Sequence, residues 1–172
     1  MGVVKVLLSL GIVGITTYLG ISKASSFKKR EEMLKEALTF FNLVENEIKY
    51  MMSILPNAYE VARQKLNTEL KDAIGQIVVD MLENDNYEAS YMSIVNNIGG
   101  IKDLTEYDKN IIISTLKNLG RSDIDAQMNI LENAKQVINV QLDDAIKYKE
   151  KNSKLYKTVG TVVGIMTVIV LI

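Results

Sequence analysis

Residues 27–54 read FKKREEMLKEALTFFNLVENEIKYMMSI. Nothing in this stretch breaks a helix. Leu34, Leu38, Phe41, Ile48, Met52 and, just beyond, Leu55 recur near i, i+4, i+7 spacing, so one face of a long helix is apolar and must be covered. Pro56 then stops it, since proline has no amide hydrogen to donate to the preceding turn.

The pattern repeats toward the C-terminus. Asn57 opens a second helix with the stripe Ala58, Val61, Ala62, Leu66. Thr68 to Glu83 supplies Leu70, Ile74, Ile77, Val78, Met81 and Leu82, and Asn84-Asp85-Asn86 reads as a turn. Tyr87 to Ile98 is a short helix closed by Gly99-Gly100. Thr105 with Asp108 has the spacing of a capping box at the head of a helix that Gly120 ends. Ser122 with Asp125 opens the last and longest helix. It carries one stripe through Ile124, Met128, Leu131, Ile138, Leu142 and Ala145 and a second through Ile130, Ala134 and Val137. The fold class is therefore all-α, an antiparallel bundle of about six helices. If the first helix leaves a membrane and the last returns to it, the loop at 55–57 and the loop at 120–123 lie together at the far end, a distal tip for the bundle.

The ends differ from this middle. Val6 to Ser22 carries no charge and is bracketed by Lys5 and Lys23, and Thr158 to Ile172 is likewise uncharged. At 1.5 Å per residue they reach about 26 Å and about 22 Å, near the roughly 30 Å of a bilayer's hydrocarbon core. The expectation is one transmembrane helix at 3–22, a cytosolic helical bundle at 23–156 and a second transmembrane helix at 157–172. Gly160 with Gly164, and Thr16 with Gly20, have the small-xxx-small spacing that lets such helices approach closely. The competing reading of the first segment is a cleaved signal peptide ending near Ser22-Lys23-Ala24. A lone Lys5 before it and Lys28-Lys29-Arg30 directly after it argue for an anchor.

Net charge is −1, but residues 31–146 hold 10 basic and 20 acidic side chains, while the flanks hold 10 basic and one acidic. Positive charge stays in the cytosol, so the middle is cytosolic and both termini lie across the membrane. Lys28, Lys29, Arg30, Lys147, Lys149, Lys151 and Lys154 form a membrane-facing basic set, suited to anionic lipid heads. The acidic middle favours a basic or amide-rich partner surface, with Pro56, Arg121, Asp123 and Gln127 as candidate partner-binding residues at the tip. Helix capping is the competing role for Asp123 and Gln127.

Histidine and cysteine are both absent, which excludes histidine triads, thiol nucleophiles and the usual zinc sites. No G-x-x-x-x-G-K-[ST] occurs, so the chain is no P-loop ATPase. Glu45 and Glu47, like Asp143 and Asp144, are too close in sequence to face one another on a helix. The residue types point to no enzyme, no cofactor, no metal and no small-molecule substrate. An acidic domain repels phosphate, which argues against nucleic acid. Taken alone, the residues describe a membrane-anchored helical adaptor.

Three short motifs narrow that description: Glu45-x-Glu47-Ile48-x-Tyr50 late in the first helix, Leu119-Gly120-x-x-Asp123 with Gln127 at the last hairpin, and Lys157-x-x-Gly160 opening the apolar tail. Their order and spacing over the whole chain resemble stage III sporulation protein AB of endospore-forming bacteria. The resemblance implies a mother-cell membrane component of the channel, or feeding tube, facing the forespore. It also implies a cytosolic domain similar to that of the type II secretion platform protein. The expected partners are a secretion-type ATPase, stage III sporulation protein AA, and other channel subunits. One departure is that Met51 to Leu55 separate the first motif from Pro56, where the family places a proline sooner.

Overall fold

The computed structural model describes the backbone of residues 2–83 and 87–171 and the side chains of residues 9–83 and 90–169. Among these residues the chain is entirely helical, with six helices: α1 (Gly2–Lys49), α2 (Leu55–Arg63), α3 (Glu69–Glu83), α4 (Tyr87–Gly99), α5 (Glu106–Asn118) and α6 (Ile124–Leu171). The turn expected at Asn84-Asp85-Asn86 lies outside the described residues. The chain divides into two compact units, residues 30–143 and residues 1–29 with 144–172, and α1 and α6 contribute to both.

The larger unit is the bundle. Its core comprises the apolar face of α1, where Met33, Leu34, Ala37, Phe40, Phe41 and Val44 are buried, together with the buried Tyr59 of α2, Ile74 and Ile77 of α3, and Leu131 and Ile138 of α6. This face is wider than a strict i, i+4 stripe, because residues at i+3 are buried as well. Each such large side chain contributes about 1.5–3 kcal/mol on burial. Packing proceeds in chain order from α2 to α3 to α4 to α5. Polar bonds fix the register. Glu36 of α1 accepts from the Asn67 and Thr68 amides at 2.8 and 3.0 Å, which holds the α2–α3 turn to α1. Arg30 of α1 donates to Gln141 of α6, and Lys135 of α6 donates to Glu45 of α1 at 2.6 Å, so these two helices run antiparallel through the bundle.

Local chemistry explains several boundaries. The Thr105–Asp108 capping box forms in both directions at the start of α5. Pro56 lies inside the first turn of α2, where a missing amide hydrogen costs nothing. The first helix was expected to continue to Ile54 but ends at Lys49, because Met52 takes a left-handed backbone, φ 52°. The Ser53 amide and hydroxyl then fold back to the Glu47 carbonyl and carboxylate. The last helix is capped by Asp123 rather than by Ser122, since Asp123 Oδ1 accepts the Ala126 amide at 2.8 Å.

Among the described residues one buried side-chain polar atom has no hydrogen-bond partner. The Tyr59 ring packs 5.4 Å from Phe40, yet its hydroxyl makes no hydrogen bond, and burial pushes its pKa well above the usual phenol value. Burying an unbonded hydroxyl costs about 1–3 kcal/mol. Tyr59→Phe is therefore expected to leave the bundle at least as stable, by up to about 1 kcal/mol in urea unfolding. A loss of more than that would reveal a hydroxyl partner.

The smaller unit is an antiparallel pair formed by the first part of α1 and the last part of α6. The small-xxx-small residues noted in the sequence face one another. A Cβ built on Gly20 would sit 2.5 Å from the Tyr156 carbonyl oxygen and 3.1 Å from the Gly160 Cα. One on Gly160 would sit 2.7 Å from the Thr16 carbonyl oxygen, and one on Gly164 would strike the Thr16 hydroxyl. Only residues without side-chain bulk permit this approach.

The expectation of membrane-crossing helices at 3–22 and 157–172 is not supported by the described residues. Among the described residues no helix is long and apolar enough to cross a membrane. The uncharged run there is residues 9–22, interrupted by Ser9, Thr16, Thr17 and Tyr18, and at 1.5 Å per residue it covers only about 21 Å. The side chains of residues 3–8 and 170–172, which belong to the expected spans, lie outside the described set.

Candidate functional site

Two loops of the bundle meet as the sequence implied. Gly120, with φ +77°, packs against the Leu55 side chain so closely that a Cβ there would collide with it. Between the loops lies a groove of about 400 Å³ lined by Ile48, Met52, Ser53, Ile54, Leu55, Gly120, Ile124 and Gln127. Its rim is apolar and open to solvent: Tyr50 is 69% exposed, Met51 69%, Met52 80% and Ile54 70%. Large apolar side chains this exposed, side by side, mark a contact surface. Methionine suits such a surface because its flexible thioether adapts to the shape of a partner.

The four tip residues inferred from sequence divide into two kinds. Gln127 is buried and clips the α5–α6 turn shut, accepting from the Gly120 amide and donating to the Ser122 carbonyl, both at 3.0 Å. Asp123 caps α6. Arg121 and Asp123 are exposed, and Pro56 is half-buried at the start of α2. Sequence reading missed the exposed apolar residues. Met52 had been placed on the buried stripe of α1, and nothing local shows that the helix stops three residues before it.

The Glu45 and Glu47 carboxylates are engaged separately, as helical spacing implied. Glu45 bonds Lys135 of α6, while Glu47 accepts from the Ser53 hydroxyl at 2.7 Å. Lys135 lies between Glu45 and Glu132. Burial works against its charge, but the two carboxylates outweigh burial and hold its pKa above the ordinary lysine value. No group of His, Cys, Asp or Glu able to hold a metal ion occurs among the described residues.

Of the seven basic residues assigned to the membrane side, Arg30 is engaged in the bundle. Its guanidinium donates to both carboxylate oxygens of Asp108, at 2.7 and 3.0 Å, and to Gln141 at 3.2 Å. Asp108 is completely buried, and its carboxylate also accepts the Thr105 amide at 2.9 Å. Burial opposes its ionisation, but the bonds from Arg30 and Thr105 prevail and hold its pKa below the usual carboxylate range. One carboxylate thus joins α1 to the cap of α5, and Arg30 carries the link to α6.

The other six belong to the smaller unit, where Lys28, Lys29, Lys147, Lys151 and Lys154 are exposed and Lys149 is half-buried. Counted by unit, the helical pair holds nine basic and two acidic residues, net +7, and the bundle 11 and 19, net −8. The charge division read along the sequence is therefore a division between compact bodies.

No curated protein and no solved structure matches the chain significantly. The profile of the family described as stage III sporulation protein AB matches residues 5–172. With the match covering all but the first four residues, the chain belongs to the stage III sporulation protein AB family.

Proposed function

We propose that this chain is a membrane-anchored platform subunit of the channel between mother cell and forespore. In this reading the bundle lies in the mother-cell cytosol and docks a secretion-type ATPase, with other channel subunits joining the assembly. Family membership supports the sporulation role. The observation that carries the docking role is the exposed apolar rim of Tyr50, Met51, Met52 and Ile54 around the groove at Gly120. The protein works by binding rather than by catalysis.

The anchors in this reading are the uncharged runs 6–22 and 158–172, taken whole and seated side by side in the bilayer. Two features support it: close packing through Gly20, Gly160 and Gly164, which suits helix association in lipid, and basic residues next to both runs.

Co-purification from sporulating cells tests the docking role. Met52→Asp with Ile54→Asp alters two exposed side chains and leaves the Asp123 cap intact, so the bundle is expected to stay folded by circular dichroism. Recovery of the ATPase is expected to fall at least about tenfold, the effect of losing about 1.4 kcal/mol of contact. Undiminished recovery would remove the rim from the docking surface, and failure to recover any channel subunit with the unaltered protein would overturn the platform role.

A further inference from the structure

The smaller unit contains a second surface, distinct from the groove. Phe27 of α1 meets two tyrosines of α6 edge-on, Tyr148 at 5.1 Å and Tyr156 at 5.5 Å between ring centres. Lys23 lies over the Phe27 ring at 5.8 Å. The antiparallel register pairs Gly20 with Gly160 and Thr16 with Gly164. The same register sets Lys23 level with Lys157 and residue 29 level with Lys151. Lys23, Lys147, Lys151, Lys154 and Lys157 are all exposed, and Tyr148 is 50% exposed. The result is a set of exposed lysines on the same stretch of the helical pair as a three-ring aromatic cluster, next to the uncharged runs of both helices.

We propose that this collar is a binding surface for anionic phospholipid headgroups; the proposal rests on the membrane-anchored reading and specifies the lipid. Three observations converge on it. The unit carries net charge +7, complementary to phosphate. Tyr156 stands two residues before the uncharged run that begins at Thr158, at the border where amphipathic aromatic side chains settle at headgroup level. The ten residue steps from Lys147 to Lys157 rise about 15 Å, enough to cross a headgroup layer of roughly 5–8 Å at any modest tilt. Lysine heads on long, flexible stems reach the phosphates.

The test uses the full chain reconstituted in phosphatidylcholine vesicles with trace spin-labelled phosphatidylglycerol or phosphatidylcholine, reading the motionally restricted lipid by electron paramagnetic resonance. Phosphatidylglycerol is expected to associate about fivefold more strongly, the effect of one lysine at a charged surface. The preference is expected to fall toward unity in about 1 M salt, where the screening length is near 3 Å. It is also expected to vanish in the variant Lys147→Gln, Lys151→Gln, Lys154→Gln, Lys157→Gln. Restricted lipid with no preference in the unaltered protein would overturn the collar and leave the anchor standing. Absence of restricted lipid would overturn the anchor, and the collar with it. The salt response of the unaltered protein decides the matter even where the variant fails to fold.

Discussion

Replacing Asp108 by alanine is expected to destabilise the bundle by about 3–5 kcal/mol, the cost of leaving one partner of a buried ion pair alone. Asp108 is fully buried, and its Arg30 partner is only 17% exposed. The substitution removes both carboxylate oxygens from the guanidinium and the carboxylate half of the α5 capping box. Urea unfolding followed by circular dichroism measures it. Arg30→Met with Asp108→Leu is expected to cost less than Asp108→Ala alone, because neither charge is then stranded. Equal losses would show that packing, not the ion pair, dominates at this point.

The same carboxylate sets a pH dependence. Its folded pKa is depressed, so the stability it supplies is fully present above the ordinary aspartate value of about 3.9. That contribution is lost as pH falls through the lower, folded value. Thermal midpoints of the unaltered protein are therefore expected to fall more steeply below about pH 4 than those of the Arg30→Met, Asp108→Leu pair.

The second large effect is expected at Gly160. Leucine there would drive its Cβ against the Thr16 carbonyl oxygen and the Gly20 Cα, at 2.7 and 3.0 Å, and backbone atoms cannot rotate out of the way as a side-chain tip can. The helices must separate. The chain has no cysteine, so Thr17→Cys with Thr161→Cys places a single reporter pair where the two hydroxyl oxygens now lie 3.5 Å apart. Disulfide formation in this pair is expected to drop at least about tenfold on adding Gly160→Leu, a shift of about 1.4 kcal/mol or more. Gly14→Leu is the control, since a Cβ at Gly14 meets nothing within 4 Å. An unchanged yield with Gly160→Leu would mean that the two helices do not pair through these residues.

These two sites differ in how far the sequence announced them. The small residues at 16, 20, 160 and 164 were visible as spacing, and the structure showed that the two pairs face each other. The Thr105–Asp108 box was legible as a cap because both residues lie within one turn. Its link to Arg30 was not, because the two charges are 78 residues apart and no local pattern joins them. Arg30 instead looked like one more basic residue beside Lys28 and Lys29. The tip was legible as a place but not as a surface. Loop arithmetic brought residue 55 near residue 120, whereas the exposure of Met52 and Ile54 depends on α1 ending at Lys49.

By itself, then, the sequence determined the helical class, the apolar faces that must be covered, the absence of histidine and cysteine chemistry, and the opposite charges of middle and flanks. These are properties of composition and of a 3.6-residue period, which are local. Only the tertiary structure decided which faces meet, that Arg30 belongs to the bundle, that Gln127 closes a turn, and that a left-handed Met52 presents apolar side chains to solvent. Periodicity states that a face is apolar, but what covers it depends on contacts between residues far apart in the chain, and those exist only once the helices have packed.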